Sequence, residues 1–177
     1  MSDGNGDDGS RGPRVSRRQM LSFGAAASFA VGAGGVRGAN GQTLPAQPAP
    51  PMPEVEIALL AGIEPGAEII FEYPDSESPA ILLRLDGPIE GGVGPDQGIV
   101  AYSKLCTHKG CPVNWNAEQE MLICPCHWSS FDPALKGRLI IGQASQSLPQ
   151  ITLRVSGGTV RAVGVDGLIY GRQTNTL

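Results

Sequence analysis

The segment Cys106-Thr-His108-Lys-Gly-Cys111, followed after twelve intervening residues by Cys124-Pro-Cys126-His127, holds all four cysteines and both histidines of a 177-residue chain. Whatever thiol or soft-metal chemistry the protein performs is confined to this one place. Each half offers a cysteine and a histidine close together, with one cysteine to spare. A structural zinc would use four of the six residues, as four cysteines, three with one histidine, or two of each, often on CxxC knuckles; no CxxC is present. A scaffold held by disulfides alone would leave both histidines without a role. Cys106, His108, Cys124 and His127 instead supply two thiolates and two neutral imidazoles, the ligand set of a [2Fe-2S] centre with two cysteines on one iron and two histidines on the other. Cys111 and Cys126 are then left over together, and a disulfide clasping the two loops is the natural use of the pair.

Away from this segment the chain reads as many short strands. Its 25 glycines and 15 prolines suit turns and loops more than long helices, and its length gives room for one domain with a modest core. Residues 43–53 contain five prolines among small residues and read as part of an extended linker spanning residues 41–53. From Glu54 onward, short apolar runs alternate with turn residues. Expected strands are residues 55–60, 68–73, 80–85 and 99–103 before the cysteine-histidine loops, and 138–141, 151–155, 159–163 and 168–170 after them. Ser156-Gly157-Gly158 is a good hairpin turn. The expected class is all-β, an antiparallel sandwich or barrel base with a small cluster-binding subdomain, about residues 101–148, inserted into it.

The N-terminus carries a different signal. Ser16-Arg17-Arg18-Gln19-Met20-Leu21 precedes eighteen residues, Gln19 to Val36, with no charge and much Gly and Ala. A twin-arginine pair before a weakly apolar segment reads as a bacterial Tat export signal over residues 1–40, placing the protein in the periplasm. An ordinary N-terminal helix is the plainer alternative, disfavoured by Gly24, Gly32, Gly34 and Gly35. Cleavage is expected near residues 37–41; an uncleaved signal would instead act as a membrane anchor. Past residue 40, eight basic residues face fourteen acidic ones, so nucleic acid is not an expected partner. An oxidising periplasm is also where a disulfide persists.

The pattern CxHxxC followed by CPCH resembles that of the Rieske iron-sulfur proteins. By that resemblance Cys106 and Cys124 bind the inner iron, His108 and His127 bind the outer iron, and Cys111 pairs with Cys126, around one [2Fe-2S] cluster. The resemblance extends over about residues 54–177. Phe131-Asp132, Ile141-Gly142-Gln143-Ala144, Leu148-Pro149-Gln150 and the tail from Ala162 to Arg172 are similar to the small subunit of arsenite oxidase, as are Gly91 to Pro95 and Ile99 to Ser103. This implies a Rieske domain over residues 54–177. It also implies a role passing electrons from a large molybdopterin-containing subunit to a periplasmic cytochrome c or copper protein.

The ligand set has an electrical consequence. An oxidised [2Fe-2S] core carries two positive charges, so two thiolates and two neutral imidazoles bring the site to zero, whereas four thiolates would leave it at minus two. Adding an electron to a neutral site costs less, one reason potentials run from roughly −150 to +300 mV, against about −400 mV with four cysteines. In quinol-oxidising Rieske proteins a serine two residues after the second ligand histidine donates to a bridging sulfide, and a tyrosine four residues after it donates to a cysteine sulfur. Ser129 and Phe131 stand at these positions, so the first donor is present and the second absent. The expected midpoint is therefore lower than in those relatives, because a hydrogen bond to sulfur favours the more negative reduced state. Gly142-Gln143-Ala144-Ser145 likewise lacks the prolines of their cover loop. No residue set on this chain is expected to perform substrate chemistry. The alternative is the Rieske subunit of a quinol-cytochrome c reductase.

Overall fold

Two runs without polar alternation, residues 80–83 and 99–102, lie at the centre of the fold. The computed structural model describes residues 51–175; the expected export segment and residues 41–50 of the expected linker lie outside the described residues. Ten strands follow in chain order: β1 (Val55–Leu59), β2 (Glu68–Glu72), β3 (Pro79–Arg84), β4 (Ile99–Ser103), β5 (Asn114–Asn116), β6 (Met121–Ile123), β7 (Ser130–Asp132), β8 (Arg138–Ile141), β9 (Gln150–Ser156) and β10 (Thr159–Asp166). Apart from two short 3-10 turns the described secondary structure is all-β, as expected. A six-stranded sheet has the order β1-β10-β9-β4-β3-β2, and a four-stranded sheet the order β5-β6-β7-β8. All pairings are antiparallel. The smaller sheet is inserted between β4 and β9, so both ends of the described chain build the larger one. No helix among the described residues is long and apolar enough to cross a membrane.

The central runs are apolar because β3 and β4 are covered on both faces. Ile81, Leu83, Val100 and Tyr102 join one core with Val113, Leu122, Phe131 and Leu148, which come from the loops and strands of the smaller sheet. Ala80, Leu82, Ile99 and Ala101 point the other way, into a second core with Ile151, Val160 and Ala162. Successive side chains of a strand face opposite sides, so a strand buried on both sides needs an unbroken apolar run. The edge strand β2 shows the opposite pattern, with Glu68 and Glu72 exposed. Charge at an edge discourages pairing with another chain.

Strand boundaries follow expectation closely outside the cluster loops. Gly157 and Gly158, with φ of 59° and 77°, form the two-residue loop joining β9 to β10, where Ser156 pairs with Thr159; positive φ at both positions suits a hairpin turn matching strand twist. A bulge between Ala162 and Gly164 lets β10 continue to Asp166, beyond its expected end. The strand expected at residues 168–170 does not form. Ile169 is fully buried while Leu168 and Tyr170 are partly exposed, and the segment is a turn closed by Asn175. The three-residue strands β5, β6 and β7 were not expected.

One buried hydrogen bond ties the two sheets together. Tyr102, on β4, donates its hydroxyl to the Pro133 carbonyl at 2.7 Å, just beyond β7. Burial pushes this phenol well above its usual range, so it remains a donor. Tyr102→Phe strands a buried carbonyl and is expected to cost about 1–2 kcal/mol, measured as a lower urea midpoint with an unchanged m-value.

Candidate functional site

The two cysteine-histidine loops are closed by the same hydrogen bonds. In the first, between β4 and β5, the Cys106 amide donates to the Cys111 carbonyl at 2.9 Å and the Gly110 amide to the Cys106 carbonyl at 2.8 Å. In the second, between β6 and β7, the Cys124 amide donates to the Ser129 carbonyl at 2.8 Å and the Trp128 amide to the Cys124 carbonyl at 3.0 Å. Each loop thus starts on a buried cysteine and bonds residue i to i+5 and i+4 back to i. The i+4 residue has a left-handed backbone in both, φ 74° at Gly110 and 60° at Trp128. Glycine takes that conformation freely, whereas tryptophan does so at a cost of about 1–2 kcal/mol. Trp128 is also 72% exposed, so it does not shield the interior.

The loops bring the predicted site residues together. Cys106 and Cys124 are both free thiols, each 1% exposed. Burial pushes the Cys106 thiol up, opposed by the His108 amide aimed at its sulfur and reinforced by Cys124 alongside. The His108 and His127 rings stand edge to face with centroids 4.6 Å apart. His127 is exposed and His108 half-buried. Cys111 and Cys126 form a disulfide, with an S–S distance of 2.05 Å, that links the two loops. The sulfurs of Cys111, Cys124 and Cys126 lie within 4.8 Å of one another. They are not a ligand set, because two of them are spent on the disulfide.

The donor set fits an iron-sulfur group. His108 Nδ1 is buried and has no hydrogen-bond partner. An unpaired buried polar atom costs about 1–3 kcal/mol, which coordination would remove. Burial pushes the Cys106 thiol up, and a cationic core would deprotonate coordinating thiols outright. The two thiols are fully buried, whereas His108 is half-buried and His127 exposed.

A third loop closes the site through Ser129. This side chain is fully buried, and its Oγ accepts the amides of Gln143 and Ala144, each at 3.0 Å. Its own hydroxyl proton is therefore left to donate elsewhere. Gly142 fits only as glycine: it has φ 120°, and a Cβ would meet Ser129 Cα at 2.3 Å. Thr107 binds the same loop from the other side, donating its hydroxyl to the Gln146 carbonyl at 2.7 Å. Phe131 is fully buried on β7, paired with Leu122 and Leu139. Asp132 Oδ1 accepts the Ala134 amide at 2.8 Å, so it caps a turn. The service of Ser129 as acceptor to two amides had no sequence signal.

A small all-β domain holding two thiols and two imidazoles on disulfide-linked loops is the architecture of a Rieske-type electron-transfer protein. The comparisons agree. The model for the Rieske [2Fe-2S] domain matches residues 76–152. The iodate reductase subunit IdrB of Denitromonas iodatirespirans is 41% identical over 126 residues, covering 70% of this chain and 68% of that one. The cytochrome bc1 complex Rieske iron-sulfur subunit of Streptomyces lividans is 47% identical over 70 residues, 38% of this chain and 41% of that one. In fold, the soluble domain of Rieske protein II from Sulfolobus acidocaldarius matches with a TM-score of 0.62 at 23% identity, covering 69% of this chain and 82% of that one. The chain belongs to the Rieske [2Fe-2S] family.

Ser129→Ala removes the acceptor of two amides and the spare hydroxyl. It is expected to lower the midpoint potential by roughly 60 mV, the one-electron equivalent of a hydrogen bond worth about 1.4 kcal/mol, in a redox titration. Phe131→Tyr is expected to move it upward by a similar amount.

Proposed function

We propose that this chain is the electron-transfer subunit of a molybdenum oxidoreductase of the arsenite oxidase kind, exported to the periplasm by the Arg17-Arg18 signal. Cys106 and Cys124 hold the inner iron and His108 and His127 the outer one. The bound [2Fe-2S] cluster supplies one-electron transfer at moderate to high potential. The observation that carries this reading is a pair of adjacent buried thiols together with two packed imidazoles, one with an unpartnered buried nitrogen. The thiolates balance the core charge, and the buried cysteine side keeps water away from it. The exposed His127 gives the outer iron a short route to a partner. The electron donor is a large molybdopterin-containing subunit and the acceptor a periplasmic cytochrome c or copper protein.

Substrate choice rests on the downstream resemblance in residues 131–172. Iodate reduction is a second reading, favoured by the 41% identity to a subunit of that name. It reverses the direction of flow, with electrons leaving through the catalytic subunit. Quinol oxidation fits less well, because Phe131 replaces the expected tyrosine and residues 142–145 lack prolines.

The test is anaerobic spectroscopy of the complex purified with its native partner subunit. Arsenite added to the oxidised complex is expected to produce the paramagnetic reduced cluster. Reoxidation of a dithionite-reduced cluster by iodate, with no response to arsenite, would replace this reading with the second. Reduction by quinol alone would move the chain to the quinol-oxidising class.

A further inference from the structure

Residues 167–175, expected in part to be a strand, instead form a self-closed segment beside the first cluster loop. Asn175 closes it at both ends, accepting the Ile169 amide at 3.0 Å and donating to the Gly167 carbonyl at 2.6 Å. Ile169 is fully buried, which fixes the segment against the body of the domain. Arg172 then donates to the Asp75 carboxylate and, at 2.7 Å, to the Ser78 hydroxyl, in the turn joining β2 to β3. Both partners of this ion pair are largely buried, with side chains 18% and 19% exposed. A pair so placed is screened far less than a surface pair.

The free face of this segment carries Tyr170, whose ring lies on Gly110. A Cβ at Gly110 would meet the ring carbons Cδ1 and Cε1 at 2.6 and 2.8 Å, so the contact requires glycine there. Gly110 sits between His108 and the disulfide residue Cys111. The entry to the loop is held separately, where the Lys104 amide donates to the Pro79 carbonyl at 2.8 Å at the end of the β3–β4 pairing. The first cluster loop is thus held at its start by the β3–β4 pairing, and near its end by the β2–β3 turn acting through Arg172 and Tyr170.

We propose that residues 167–175 are a strap that positions the first cluster loop, with Tyr170 pressing on Gly110 and Arg172 anchoring the strap to Asp75 and Ser78. Tyr170 and Arg172 act as positioning residues through Gly110. By restraining the loop at Gly110, the strap holds His108 and Cys111 in one geometry. The consequence for the cluster rests on the ligand reading above; the consequence for the disulfide does not.

The test compares Tyr170→Ala, Arg172→Ala, the double variant and Tyr170→Phe in the purified complex, by two readouts. One is the rate at which a thiol reductant opens Cys111–Cys126, followed by alkylation and mass. The other is the width of the reduced cluster's paramagnetic signal. Each alanine variant is expected to open the disulfide about fivefold faster, as a loosened segment samples open states more often, and to broaden the signal. The double variant should match the single ones, because both cut one strap, and Tyr170→Phe should behave as wild type because it keeps the ring. Lower thermal stability with wild-type reduction rate and line shape, or effects that add independently, would overturn the strap. A wild-type protein without any cluster signal would instead overturn the ligand reading, leaving the disulfide rates as the test of the strap.

Discussion

Closure of each cluster loop by two backbone hydrogen bonds, from Cys106 to Cys111 and from Cys124 to Ser129 with their return bonds, is the constraint on which the site depends. A loop closed in this way keeps its first cysteine buried, while its histidine is less buried. Two such loops bring the thiols of Cys106 and Cys124 side by side and the His108 and His127 rings into edge-to-face contact. The disulfide then joins loops whose cysteines are 15 residues apart in sequence, limiting how far they can separate. Preorganised ligands of this kind need little rearrangement when the charge on a bound group changes.

The rest of the fold supplies a rigid frame for these turns. Strands β3 and β4 are enclosed between two cores, and the core that continues into the smaller sheet includes Cys106 and Cys124 themselves. The two candidate ligand cysteines are therefore part of the hydrophobic packing. Because close-packed interiors transmit displacement, a change in Val100 or Leu122 would be felt at the sulfurs. Ser129 performs two jobs at once: it fastens the third loop by accepting two amides and keeps a hydroxyl proton directed away from them.

Much of this was legible in the sequence where chemistry is local. Four cysteines and two histidines confined to one segment limited the ligand set, and paired glycines after Ser156 marked the β9–β10 hairpin. The largely apolar runs at residues 80–85 and 99–103 marked strands, whose burial on both faces the structure then showed. Strands β5, β6 and β7 were not legible, since three residues give no measurable alternation and their pairing is set by packing around the loops. Residues 168–170 misled because three consecutive apolar or aromatic side chains look like a strand; only burial separates Ile169 from its exposed neighbours. The Arg172 to Asp75 pair joins residues 97 positions apart, and Ser129 reaches Gln143 and Ala144 through backbone amides that no side-chain pattern reveals.

The central claim is that one iron is held by His108 and His127. Nitrogen electron-nuclear double resonance on the reduced, purified chain tests it most directly. The account predicts coupling to two imidazole nitrogens, with one coupling lost in His108→Cys. A reduced cluster with no nitrogen coupling, or a preparation holding stoichiometric zinc and no paramagnetic reduced state, would contradict it.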